Sequence, residues 1–258
     1  MTCDLRPATL VKICGVRTPE QALVAAEAGA DLVGLVFYPP SHRCVTPAEA
    51  AAVTRALRGA GARTAAVGLF VNEPPARINA VVAEAGLDVV QLSGDEPAAV
   101  MREIAAPLLR AVRVAAGDDP EEVEARLVAD EEAAAGRPAG PLGRPLTFLL
   151  DAHVPGRYGG TGTPADWELA ARLAARFPVL LAGGLTAENV GEAIRAVLPL
   201  GVDVSSGVET NRVKDPAKIR RFVAAARGRP PRPFVARPGH DDGARGPLTA
   251  PDQHPSRR

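Results

Sequence analysis

The chain has 258 residues, of which 47% are hydrophobic and 23% charged, the balance of a globular protein long enough to bury one large core. Its 30 Lys+Arg against 30 Asp+Glu cancel, so no global field draws it to nucleic acid or to an anionic membrane. Aromatic content is 3%, with Trp167 the single tryptophan, which leaves no platform for stacking single-stranded bases. Cys3, Cys14 and Cys44 are too few for a disulfide framework and lack metal-ligand spacing. No apolar run reaches the ~20 residues of a membrane span, and Met1 to Pro7 has no signal-peptide core. A reducing cytoplasm is the expected compartment.

Short apolar, β-branched runs alternate with Ala-rich amphipathic stretches, the pattern of repeated βα units around a parallel sheet. Strands are expected to begin near Leu10, Leu32, Ala65, Val89, Leu108, Thr147, Val179 and Val202. Thr18-Pro19-Glu20 opens the first helix with a cap and an N1 proline, Thr46-Pro47 the second, Pro74-Pro75 the third and Thr186-Ala187-Glu188 the seventh. Glu27-Ala28-Gly29-Ala30-Asp31 and Glu84-Ala85-Gly86-Leu87-Asp88 each stop a helix at glycine and lead into a strand. An acidic helical segment from Glu121 to Glu132, followed by a Gly-, Pro- and Arg-rich loop, reads as the fifth helix with an elongated connection. Eight such units close most naturally into a single-domain (β/α)8 TIM barrel over 8–227; the alternative, a doubly wound open sheet, would carry a GxGxxG after its first strand, and none is present. Residues 228–258 turn to Pro, Arg, Gly, Asp and His and are expected to form a disordered tail, because they cannot bury enough surface to offset the entropy of ordering.

In such a barrel the active site lies at the C-terminal ends of the strands, and the unusual residues gather there. Strand seven ends Ala182-Gly183-Gly184 and strand eight runs Asp203-Val204-Ser205-Ser206-Gly207. Glycines that let backbone N–H groups approach an anion, beside hydroxyl and amide donors on the neighbouring strand, predict a phosphate site. Asp151 ends the apolar run Phe148-Leu149-Leu150 as a charge placed at a desolvation cost, either for function or to cap the next turn. Cys14, with Gly15 after it and Lys12 two residues before, is either a small buried hydrophobe or a reactive thiol. Arg43, in a proline-rich loop after strand two, is either a surface charge or a bidentate clamp for a carboxylate. His42 and His153 read as exposed loop histidines before general acid/base candidates.

Taken in order, these strings resemble phosphoribosylanthranilate isomerases: VKICG at Val11–Gly15, GLVFYPPSHR at Gly34–Arg43, VGLFVN at Val67–Asn72, Gln91 to Glu96, Asp151 with Gly159-Gly160-Thr161-Gly162, Ala182 to Leu185 with Glu188-Asn189-Val190, and VDVSSGVE at Val202–Glu209. The resemblance runs from about residue 10 to about residue 225. It implies an Amadori rearrangement of N-(5-phosphoribosyl)anthranilate, the third step of tryptophan synthesis from chorismate. By the resemblance, Asp151 is the acid that opens the ribose ring and Cys14 the base that takes the C2 proton. Arg43 holds the anthranilate carboxylate, Asp203 touches sugar hydroxyls, and Lys12 and Gln91 join the substrate-binding set. Gly160, Gly183, Gly184, Ser205, Ser206 and Gly207 hold the phosphate. No metal or organic cofactor is implied, the partner is a phosphorylated sugar amine, and a monomer or homodimer is expected. One position departs: the family usually has histidine where Ser93 stands.

Rivals are weaker on the same residues. The histidine-pathway sugar isomerase is expected to use aspartates ending strands one and five, whereas these strands offer Cys14 and Val112-Arg113-Val114. A phosphopentose epimerase would need metal-binding histidines on strands. A barrel that only binds a phosphorylated ligand would have no use for both Cys14 and Asp151.

Overall fold

The computed structural model describes residues 9–114, 117–152 and 167–228. The expectations for Cys3, His153, the glycine loop that holds Gly160, and the tail beyond Gly228 lie outside those residues. Eight parallel strands close in sequence order into one barrel: β1 (Leu10–Cys14), β2 (Leu32–Val36), β3 (Ala65–Phe70), β4 (Val89–Leu92), β5 (Leu108–Val114), β6 (Leu146–Ala152), β7 (Val179–Leu181) and β8 (Gly201–Val204). Every start falls within one residue of the sequence reading. Closure is made by β1 pairing with β8, where Lys12 stands opposite Asp203.

Because the side-chain period of a strand is two, each strand feeds two cores. Leu32, Ala65, Val67, Val89, Leu109, Leu149 and Leu180 point inward and fill the barrel. Val11, Ile13, Val33, Leu35, Val90, Leu92, Phe148, Leu150, Val202 and Val204 point outward and pack beneath the helices. That double burial is why the strands read as near-continuous apolar runs.

The helices are α1 (Pro19–Ala28), α2 (Pro47–Gly59), α3 (Pro75–Ala85), α4 (Pro120–Ala134), α5 (Trp167–Ala174), α6 (Val190–Val197) and α7 (Pro216–Ala226). Thr18 Oγ1 accepts from the Gln21 N–H and Thr46 Oγ1 from the Glu49 N–H, the two caps the sequence predicts, and the Glu49 side chain adds the return bond of a full capping box. Gly29 (φ 97°) and Gly86 (φ 63°) end α1 and α3 in the left-handed conformation. The aspartate that follows each of these glycines has its own task. Asp31 Oδ2 accepts from Val11 N–H at 2.7 Å and Asp88 Oδ2 from Ala66 N–H at 2.8 Å, so each carboxylate occupies a donor near the start of the preceding strand.

Two units differ from the regular pattern. After β4 the connection is a six-residue 3-10 helix, Ala98–Glu103, in place of an α-helix. Arg137, from the loop after α4, donates to the carbonyls of Met101, Ile104 and Ala106 and ties that short connection down. In the seventh unit the helix begins at Val190 and not at Thr186. Asn189 accepts from Thr186 N–H at 2.8 Å and donates to Gly184 O at 3.0 Å, folding 186–189 into a turn that shapes the glycine loop instead of starting a helix. Past β8, a two-stranded hairpin, β9 (Glu209–Thr210) and β10 (Val213–Lys214), precedes α7.

Candidate active site

A cavity of about 440 Å³ opens at the C-terminal ends of the strands. Cys14, Arg43, Gln91, Asp151, Gly183, Gly184, Asp203, Ser205, Ser206 and Gly207 all line it, so the structure brings together nearly every site residue expected from the sequence. Lys12 lies one layer below, fully buried. Its Nζ donates to Asp203 Oδ1 at 2.8 Å, a pair made possible only because β1 and β8 meet at closure.

The thiol and the two carboxylates are set apart electrostatically. Burial pushes the Cys14 thiol above its usual range, with Asp203 adding to that push, while the cations of Lys12 and Lys214 pull it back. Gly34 on β2 makes room for this arrangement, since a Cβ there would sit 2.9 Å from Cys14 Sγ and 3.2 Å from Lys12 Nζ. Burial, together with the negative charge of Asp203, raises Asp151 to about 6 against the opposing pull of Arg113 and Lys12. Burial pulls Lys12 down, but the charges and hydrogen bonds of Asp203 and Cys14 outweigh it and hold the ammonium above its ordinary value. One carboxyl is therefore protonated far more readily than a free aspartate, beside another that is neutralised by a lysine.

The wall formed by the loops after β7 and β8 has a backbone geometry that suits an anion. Gly183 (φ 90°) and Gly184 (φ 61°) are consecutive left-handed glycines, a conformation that other residues adopt only under strain. Gly207 is required for a different reason: a Cβ on it would lie 2.0 Å from the carbonyl oxygen of Leu185, so the loops after β7 and β8 touch at a point only glycine allows.

Sequence reasoning missed an ion-pair network that joins the loop after β2 to the hairpin after β8. Arg43 donates through Nε and Nη2 to the two carboxylate oxygens of Glu209, at 2.7 and 2.8 Å, so one edge of the expected carboxylate clamp is occupied from within. Lys214, buried on β10, donates to Glu209 Oε1 at 2.7 Å and to Ser205 O at 2.9 Å. Burial alone would raise Glu209, but these hydrogen bonds and cations outweigh it and hold the carboxyl at about 2. Gly15 (φ 78°) lies against Arg43, whose Cδ would be 2.4 Å from a Cβ there. Lys214 carries no local signal, because a two-residue strand shows no alternation; Glu209 closes the string quoted above but offers nothing to name its partners.

At the top of β4, Ser93 Oγ accepts from Gln91 Nε2 at 2.9 Å, and Ser93 O accepts from Arg113 Nη2 at 2.8 Å. Gln91 Oε1 is buried without a hydrogen-bond partner among the described residues. His42 lines the cavity and is pulled below its usual value by burial and by the charges of Arg43 and Arg212, so it is no exposed loop histidine. Among the described residues no three His, Cys, Asp or Glu side chains cluster to hold a metal ion, and no helix is long and apolar enough to cross a membrane.

Comparison with known proteins agrees with this geometry. The family model described as N-(5'phosphoribosyl)anthranilate (PRA) isomerase matches residues 11–225. A relative from Roseiflexus sp. (strain RS-1), named N-(5'-phosphoribosyl)anthranilate isomerase, is 49% identical over 222 residues, 84% of this chain and 97% of the relative. The solved phosphoribosyl anthranilate isomerase from Thermotoga maritima superposes with a TM-score of 0.72 at 38% identity, covering 85% of this chain and 99% of that one. Another structure of such an isomerase, in complex with reduced 1-(o-carboxyphenylamino)-1-deoxyribulose 5-phosphate, gives a TM-score of 0.69 at 36% identity over the same shares. With its strand-end thiol, its carboxyl and its glycine-lined wall gathered in one barrel mouth, this chain belongs to the N-(5'-phosphoribosyl)anthranilate isomerase family.

Proposed function

We propose that the chain converts N-(5'-phosphoribosyl)anthranilate to 1-(o-carboxyphenylamino)-1-deoxyribulose 5-phosphate, the third step of tryptophan synthesis from chorismate, with Asp151 as general acid and Cys14 as general base. The observation that carries the reading is a carboxyl raised to about 6 and a buried thiol facing one cavity of about 440 Å³. An Amadori rearrangement needs one proton delivered and one removed. Asp151 gives its proton to the ribose ring oxygen as the C1–O bond breaks and the nitrogen lone pair forms the C1 iminium. Cys14, as thiolate, takes the C2 proton, and the C2–H electrons neutralise the iminium as an enolamine, which tautomerises to the ketone. Burial keeps the thiol neutral before substrate binds; the cationic iminium, formed beside Lys12 and Asp203, favours its ionisation. Lys12 steadies that balance by neutralising Asp203 from below.

The glycine wall of Gly183, Gly184 and Gly207, with Ser205 and Ser206, suits the phosphate, and Gly160 is assigned to the same end on the resemblance alone. Asp203 and the unpartnered Gln91 Oε1 suit sugar hydroxyls, and Arg43 offers the Nη1 edge that Glu209 leaves free. Ring opening and proton transfer need neither metal nor organic cofactor. The reading keeps the expectation of a cytoplasmic monomer or homodimer acting on a small phosphorylated sugar amine.

The test follows the loss of fluorescence of freshly made phosphoribosylanthranilate with the unaltered protein, Cys14→Ala and Asp151→Asn. Each removed proton-transfer group should lower kcat by about 10²-fold or more. Failure of the unaltered protein to consume the substrate would reject it as substrate. Persistence of activity in either variant would reject the assigned role.

A further inference from the structure

The hairpin after β8 turns on two residues, Asn211 (φ 50°) and Arg212 (φ 64°), between Thr210 and Val213, which pair across it. Two consecutive positive φ values in a two-residue hairpin are the mark of a type I′ turn, whose second position favours glycine. Arginine there carries the strain of a left-handed L-residue, and such strain concentrates where a side chain has a function. Arg212 lines the cavity. Three arginines do so, and the other two are engaged: Arg43 by Glu209, and Arg113 by Ser93 O and Asp95. Arg212 is exposed and makes no hydrogen bond or ion pair among the described residues. It stands in the hairpin that begins at Glu209, the carboxylate that holds Arg43, and its charge reaches His42, beside Arg43 in the loop after β2.

Resting on the function proposed above, we propose that Arg212 is a substrate-binding residue that holds the carboxylate of the substrate's aromatic amine at the cavity mouth. The planar fork of a guanidinium matches a carboxylate with two parallel hydrogen bonds. Arg43 has already given one edge to Glu209, so a second guanidinium beside it completes the carboxylate site. The phosphate, assigned to Gly183, Gly184, Ser205, Ser206 and Gly207, has backbone amides and hydroxyls and does not call on Arg212.

The test compares Arg212→Gly with the unaltered protein on two substrates: phosphoribosylanthranilate, and phosphoribosylaniline, made by condensing ribose 5-phosphate with aniline, which lacks the carboxylate. Glycine relieves the turn, so the variant should melt no lower than the original chain, and a folding defect is thereby separated from lost binding. For phosphoribosylanthranilate, KM should rise about threefold to tenfold with kcat within about twofold, the worth of one solvent-facing charge-assisted contact. For phosphoribosylaniline, KM should not change between the two proteins. Arg212→Lys, which keeps the charge but loses the fork, should recover part of the loss. An unchanged KM for phosphoribosylanthranilate overturns the proposal, and so does an equal rise on both substrates, which would place Arg212 on the phosphate. If the unaltered protein does not turn over phosphoribosylanthranilate, the proposed function fails first, which is a distinct result.

Discussion

Replacing Lys12 by methionine isolates the buried ion pair at the barrel seam. Methionine keeps much of the volume of the lysine stem, so what is lost is the ammonium 2.8 Å from Asp203 Oδ1. Breaking a buried pair by removing one partner costs about 3–5 kcal/mol, because the other charge is left uncompensated. Lys12 is 0% exposed, but Asp203 is 8% exposed and faces the cavity, where water reaches it, so the expected loss lies near the lower end, at about 3 kcal/mol at pH 7. Urea unfolding of the original chain and of Lys12→Met at pH 7 measures the loss, and Lys12→Met/Asp203→Asn, with no orphaned charge, should recover a large part of it. A gap below about 1 kcal/mol at pH 7, or a double variant as unstable as the two single losses added, would refute the reasoning. Alkylation of Cys14, read by peptide mass, should also slow in Lys12→Met, since one of the two cations that ease its ionisation is gone.

Glu209→Gln should cost about 2–4 kcal/mol at pH 7, because it weakens three charge-assisted hydrogen bonds and leaves buried Lys214 without its counter-charge. Glu209 has a folded pKa of about 2, below its unfolded value near 4.3, so its contribution is complete above about pH 4.3 and fades as pH falls towards 2. Denaturation at pH 7 and pH 3 should show the gap narrowing; a constant gap would mean that the network does not act through charge. Gly207→Ala forces the loops after β7 and β8 apart, because its Cβ would meet Leu185 O at 2.0 Å. It should lower stability by about 1–3 kcal/mol and raise KM more than it lowers kcat, as steady-state kinetics would show; an unchanged KM would remove this contact from the phosphate site.

The elements were legible in the sequence because their signals are local. A strand buried on both faces declares itself as an apolar run, Thr18 and Thr46 announce helices within three residues, and Gly29 and Gly86 end them by a conformation that glycine adopts freely. The ordered strand-end residues, from Cys14 to Gly207, were legible for the same reason, since a closed barrel places all strand ends on one rim. Where local signals competed, tertiary structure decided. Thr186 does accept from Glu188 N–H through its hydroxyl as a cap would, yet the Asn189 side chain bonds back to Thr186 and Gly184 and delays the helix to Val190. Partnership was beyond the sequence altogether. Lys12 and Asp203 lie 191 residues apart, and Arg43 and Glu209 lie 166 apart, so only barrel closure could say which cation meets which carboxylate. The displaced acidity of Asp151 and Cys14 depends on those pairings and on burial, quantities that exist only once the chain has folded.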